Sequence, residues 1–135
     1  MPKIEVSFGE LLDKYSILII KLKCLEFESQ KEQVRKEMIE YEVIVEEILT
    51  DNLVRREYNR LLDVNLHIWN GMEDVFADTD PSVFGELSRR ITELNKERSY
   101  LKRNINNLTS SKIREEKSYF LDTESENSPQ RPITE

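Results

Sequence analysis

From Phe8 onward apolar residues recur at intervals of three and four. Phe8, Leu11, Leu12, Tyr15, Leu18, Ile19, Leu22 and Leu25 form one stripe, the spacing of an amphipathic helix rather than the strict alternation of a strand. Ile17 and Ile20 widen this stripe around much of the circumference, which predicts that the first helix is the most deeply buried. Ser7 stands three residues ahead of Glu10, a pairing that satisfies orphan amides at a helix start, so the helix is expected to begin there. From about Gln30 a second stripe, Val34, Met38, Tyr41, Val45 and Ile48, follows heptad spacing. Thr50, Asp51 and Asn52 supply capping side chains in succession, but no Gly or Pro enforces a break. Residues 30–76 therefore read either as two helices or as one kinked helix. The third stripe is Val54, Tyr58, Leu61, Leu62, Leu66, Ile68, Trp69, Met72, Val75 and Phe76.

Asp78-Thr79-Asp80-Pro81 is the clearest punctuation, because an aspartate can cap a helix whose first residue has no amide to satisfy. A fourth ladder follows as Phe84, Leu87, Ile91, Leu94, Leu101, Ile105 and Leu108, with Arg98 occupying one rung. The polar run from Asn106 to Ser111 predicts its end, and Lys112 to about Phe120 reads as a short helix. The expected fold is all-α: an antiparallel bundle of three to four long amphipathic helices plus a short C-terminal helix, one domain over residues 1–120. Residues 121–135 are polar and broken by proline, and read as a disordered tail.

Composition sharpens this picture. The chain has 135 residues, the size of one ordinary domain, with 3 Gly, 4 Pro and 35% charged residues. At 38% hydrophobic it can form only narrow apolar stripes, so its helices should carry wide solvated faces or share a stripe with another subunit. A homodimer or a helical protein partner is the expectation. The single cysteine, Cys24, excludes an internal disulfide and, within the apolar run Ile17 to Leu25, reads as a small core residue. The longest apolar stretch, Ile17 to Ile20, is too short to span a bilayer, and no secretory leader is apparent. A cytoplasmic protein with no membrane partner is expected.

Net charge is −7 but unevenly spread. Residues 26–80 carry 15 acidic against 6 basic side chains, whereas residues 81–120 carry 9 basic against 5 acidic. Acidic and basic helices are therefore expected to face each other, within one chain or across a dimer. Arg89, Lys96 and Arg103 lie seven apart, a basic stripe that a phosphate backbone could follow. Glu86, Glu93 and Glu97 border it, Tyr100 alone is placed to stack on bases, and overall acidity argues against nucleic acid as a partner.

Several polar strings stand out beyond what a bundle requires. They are Val6 to Lys14, the pair Phe84 to Leu87 and Asn95 to Arg98 continuing into Leu101 to Asn106, and Glu115 to Tyr119. Together, and through Trp69, Glu73 and Asp74 in the middle, residues 4–120 resemble an uncharacterised family of short helical proteins found in bacteria and their viruses. The resemblance implies a compact helical fold and carries over no catalytic role.

Arg98 is the sharpest single residue, since a guanidinium in an apolar rung must snorkel or find a carboxylate. Asp13, Glu73 and Asp74 are the candidate partners. If the pair only fixes register, Arg98→Met is expected to be tolerated, while loss of the acid beside a buried Arg98 would cost about 3 kcal/mol or more. Lys14, Lys102 and Arg103 add further positive charge, so Asp13, Lys14, Glu73, Asp74, Arg98 and Lys102 are the candidate ligand-binding residues for a phosphate or carboxylate.

With His67 nearby, the three acids also include metal-ligand types. The bundle two-metal motif needs Glu-x-x-His on each of two helices, whereas this chain has one histidine with Val64 three positions before it. Asp63 and His67 read instead as an i, i+4 pair. Glu46-Glu47-Ile48-Leu49-Thr50 lacks the third carboxylate of helical pyrophosphohydrolases, and Glu115 to Tyr119 has tyrosine there. Arg89 to Leu94 is only faintly like a helical chorismate mutase. No metal, cofactor or catalytic set is assigned. Two functions remain: a non-enzymatic helical interaction or assembly protein, and a small-anion binding protein or enzyme with a polar pocket between helices one, three and four.

Overall fold

The computed structural model describes residues 4–77 and 80–124, with side chains as far as Thr109. Four helices follow in chain order: α1 (Phe8–Cys24), α2 (Glu28–Ile48), α3 (Asn52–Ala77) and α4 (Pro81–Glu124). The described residues contain no strand, so the fold is all-α as the apolar periodicity predicts.

Each boundary has a local cause. Ser7 Oγ accepts the Glu10 amide at 3.1 Å, but the Glu10 carboxylate turns away to Lys102, so the capping box is used from one side. Asp51 Oδ1 accepts from the amides of Leu53 and Val54 at 2.9 and 3.3 Å, which separates α2 from α3 and excludes one kinked helix. Asp80 Oδ1 accepts the Ser82 amide at 3.0 Å with Pro81 as the first helical residue.

The helices run alternately up and down. α1 packs on all three others, α2 is seated on α1, and α3 with α4 forms the most extensive helix pair. α1 is antiparallel to α4, because Gly9 meets Asn106 at one level and Asp13 meets Arg98 at the next. Leu12 of α1, Leu61 of α3, and Leu101 and Ile105 of α4 are fully buried and fill the centre, with Val45, Val54, Tyr58 and Val64 around them. Each such leucine contributes about 1.5–3 kcal/mol on leaving water. Gly9 lets the first turn of α1 lie directly on α4: a Cβ there would fall 2.4 Å from the Lys102 carbonyl oxygen.

Three expectations change. α4 does not stop at Asn106 to Ser111 and restart; its backbone is one helix as far as Glu124. The cap-forming side chains are used otherwise: Thr109 Oγ1 donates back along the helix to the Ile105 and Asn106 carbonyls, and Asn106 Oδ1 accepts the Gly9 amide from α1. Cys24 is exposed rather than buried, at the last residue of α1. Of the polar tail read as disordered, residues 121–124 continue α4 and 125–135 lie outside the described residues. The side chains of Glu115 to Tyr119, the last of the polar strings, lie outside the described residues. No helix among the described residues is long and apolar enough to cross a membrane.

Candidate functional site: a buried polar cluster joining α1, α3 and α4

Glu10, Asp13 and Ser16 lie three apart on α1, and Arg98 and Lys102 four apart on α4, so each set shares one face of its helix. The α1 set looks into the groove of the α3–α4 hairpin, where Asp13 is only 3% exposed. Arg98 grips it from two positions, Nε donating to Oδ1 at 2.9 Å and Nη2 to Oδ2 at 2.6 Å, a planar fork on a planar carboxylate. Asn65 of α3 donates from Nδ2 to Asp13 Oδ1 at 2.9 Å and to Ser16 Oγ at 2.7 Å. Ser16 Oγ in turn donates a hydrogen bond to the Asp13 main-chain carbonyl at 2.7 Å. Lys102 Nζ stands 2.7 Å from Glu10 Oε1 and 3.8 Å from Asp13 Oδ2.

Burial by itself would push the Asp13 carboxyl upward. The hydrogen bonds from Arg98 and Asn65, with the positive charges of Arg98 and Lys102, outweigh it and hold the group below the ordinary aspartate value. The Asp13 hydrogen bond in turn raises Arg98 against the opposing effect of its own burial. Asp13 is therefore a carboxylate at neutral pH with its lone pairs committed to donors of the same chain.

Of the sequence candidates, Asp13, Arg98 and Lys102 are brought together. Lys14 is not among them: it points to the α2 side, pairs with Glu37 at 3.0 Å and lies 5.8 Å from the Tyr41 ring centroid. Glu73 and Asp74 are exposed on the last turns of α3, two turns or more beyond the Asn65 level, so neither partners Arg98. Arg103 is exposed on α4. Asp63 and His67 do pair, at 3.7 Å between carboxylate and ring, on the exposed side of α3. Among the described residues no group of three or more His, Cys, Asp or Glu side chains is placed to hold a metal ion.

Sequence reasoning overlooked Ser16, Asn65 and a second polar contact. Glu57 of α3, 6% exposed, accepts from Asn104 Nδ2 of α4 at 2.9 Å and pairs with Arg60 at 3.2 Å. The signal was available, since Glu57 and Asn65 occupy rungs of the stripe Val54, Leu61 and Ile68 just as Arg98 does in α4. No protein-family model, no curated protein and no solved structure matches the chain. The cluster is therefore read from its own chemistry.

Proposed function

We propose that this chain is a non-enzymatic helical interaction and assembly protein, and that the Asp13 cluster locks α1 in register against the α3–α4 hairpin. The observation that carries this reading is that the cluster neutralises itself. Both Asp13 oxygens are occupied by Arg98 and Asn65, and Lys102 is opposed by Glu10. Two carboxylates against two cations leave no excess positive charge to concentrate an anion. A one-residue slip or rotation of α1 would strand a buried charge, which gives the arrangement its specificity for one packing.

A second reading, a small-anion site, draws on one feature: the Arg98 and Lys102 side chains retain 27% and 25% exposure. A phosphate or dicarboxylate entering there would have to displace Asp13 or Glu10. Thermal unfolding against a panel of phosphates, dicarboxylates and divalent metals separates the two. The assembly reading expects midpoints that do not move, whereas stabilisation by one ligand, abolished by Arg98→Met, overturns it.

A further inference from the structure

Among the described residues, the acidic face of α2 and the basic face of α4 do not neutralise one another inside a single copy. α2 rests on α1, which in turn contacts α3 and α4, and among the described residues α2 has no substantial contact with α4. On α2, Glu40, Glu46 and Glu47 are exposed and, among the described residues, form no ion pair. On α4, Arg89, Arg90 and Arg103 are likewise exposed without an ion pair. Lys96 reaches only Glu93, at 3.8 Å with both side chains at least 70% exposed, a contact of little energetic weight.

The two faces match in spacing as well as sign. Glu40 and Glu47 lie seven residues apart, as do Arg89, Lys96 and Arg103. Seven residues advance a helix by about 10.5 Å, so two helices laid side by side bring successive opposite charges together without adjustment. Apolar surface accompanies the charges: Ile39 and Val43, one turn apart on the side of α2 away from buried Val34 and Val45, are 67% and 77% exposed, and Tyr100 of α4 is 52% exposed. Isolated exposed apolar residues mean little, but such a pair beside the unpaired carboxylates of Glu40 and Glu47, with Lys36 one turn before it on the same face, has the form of a helix-docking face.

We propose that this face is completed by a second copy of the chain: the outer face of α2, through Ile39, Val43, Glu40 and Glu47, docks on the outer face of α4 of that copy, through Lys96, Arg103 and Tyr100. The proposal rests on the assembly reading above and names its partner and surface. Because the attraction is between exposed charges, association is weakened by salt, whose screening length is about 8 Å at physiological ionic strength.

The test uses the full chain in light scattering and sedimentation across protein and salt concentration. Wild type is expected to associate with increasing concentration and to dissociate as salt rises. Lys96→Glu/Arg103→Glu and Glu40→Lys/Glu47→Lys, both with unchanged helical circular dichroism, are each expected to lose association by about tenfold or more. An equimolar mixture of the two variants restores association, because the reversed charges complement across copies. A wild type that stays monomeric, association indifferent to charge reversal, or a mixture that remains apart would each overturn the pairing. Retention of a labelled duplex by a monomeric wild type, lost in Lys96→Glu/Arg103→Glu, would overturn it in favour of a nucleic-acid backbone. The ligand panel keeps the two proposals separable: unmoved midpoints with a monomeric protein remove self-pairing alone, whereas an Arg98-dependent shift removes the assembly reading itself.

Discussion

Arg98→Met is expected to destabilise this fold more than Asp13→Asn, the reverse of the order expected from sequence. The reason is which partner is buried. The Asp13 side chain is 4% exposed and the Arg98 side chain 27%. Removing the guanidinium strands a carboxylate in the interior, and breaking a buried pair from one side costs about 3–5 kcal/mol. Asn65 still donates to Asp13 and Lys102 is 3.8 Å away, so the loss falls at or below the floor of that range, about 2–3 kcal/mol. Asparagine at position 13 keeps the size and one acceptor oxygen while Arg98 swings its head toward water, a loss of about 1–2 kcal/mol. Urea unfolding of the two variants and wild type at neutral pH measures both. An Asp13→Asn loss equal to or larger than that of Arg98→Met, or two losses under about 0.5 kcal/mol, would refute the reasoning.

The pH dependence supplies an independent check on the same pair. The Asp13 carboxyl is held below its ordinary value in the folded chain. Its contribution to stability is complete above the unfolded value of about 3.9 and is lost as pH falls through the folded value. Without Arg98 the effect of burial prevails and the group shifts upward instead, so the variant loses stability as pH rises through the carboxylate range. The gap between wild type and Arg98→Met should therefore be widest near neutrality and narrow below about pH 4. A constant gap across that range would mean that Asp13 is not the group left stranded.

Four further outcomes follow from packing. Gly9→Ala should destabilise by at least about 2 kcal/mol in chemical denaturation despite alanine's better helix propensity, because its Cβ would sit 2.4 Å from the Lys102 carbonyl oxygen. Gly85→Ala, with nothing within 4 Å of the added Cβ, should stabilise by about 1 kcal/mol; equal effects at the two sites would contradict the close approach of α1 to α4. Tyr58→Phe should leave the thermal midpoint unchanged or raise it, by up to about 1 kcal/mol in stability, because the buried Tyr58 hydroxyl has no hydrogen-bond partner among the described residues. Burial also raises the Tyr58 pKa, so in alkaline spectrophotometric titration this tyrosine should ionise only as the chain unfolds.

The local elements were largely legible in the sequence. Ser7, Asp51 and Asp80 cap helices close to the expected starts, because a capping side chain needs only amides two or three residues away. The stripe from Phe8 likewise required a buried α1, since no other arrangement removes so much apolar surface from water. The polar site was half legible. Arg98 in an apolar rung had either to snorkel or to find an acid, and Asp13, Glu73 and Asp74 were equal candidates until the register of α1 against α4 was known. Glu57 and Asn65 carried the same signal and were overlooked, because neutral and acidic residues at rungs are common on solvated borders and only burial distinguishes them.

Sequence alone therefore determined that this chain is built of amphipathic helices, roughly where three of them begin, and that Arg98 would have either to snorkel or to find a carboxylate. These depend on contacts within a few residues or on the periodic burial of apolar side chains. Tertiary structure decided that Asp13 is the counter-charge, that Lys14 turns to Glu37, that Cys24 meets solvent, and that Asn106 serves α1 instead of ending α4. Each of these is a competition among partners distant in the chain, and it is settled by how closely one helix can approach another, which here begins with the missing side chain of Gly9.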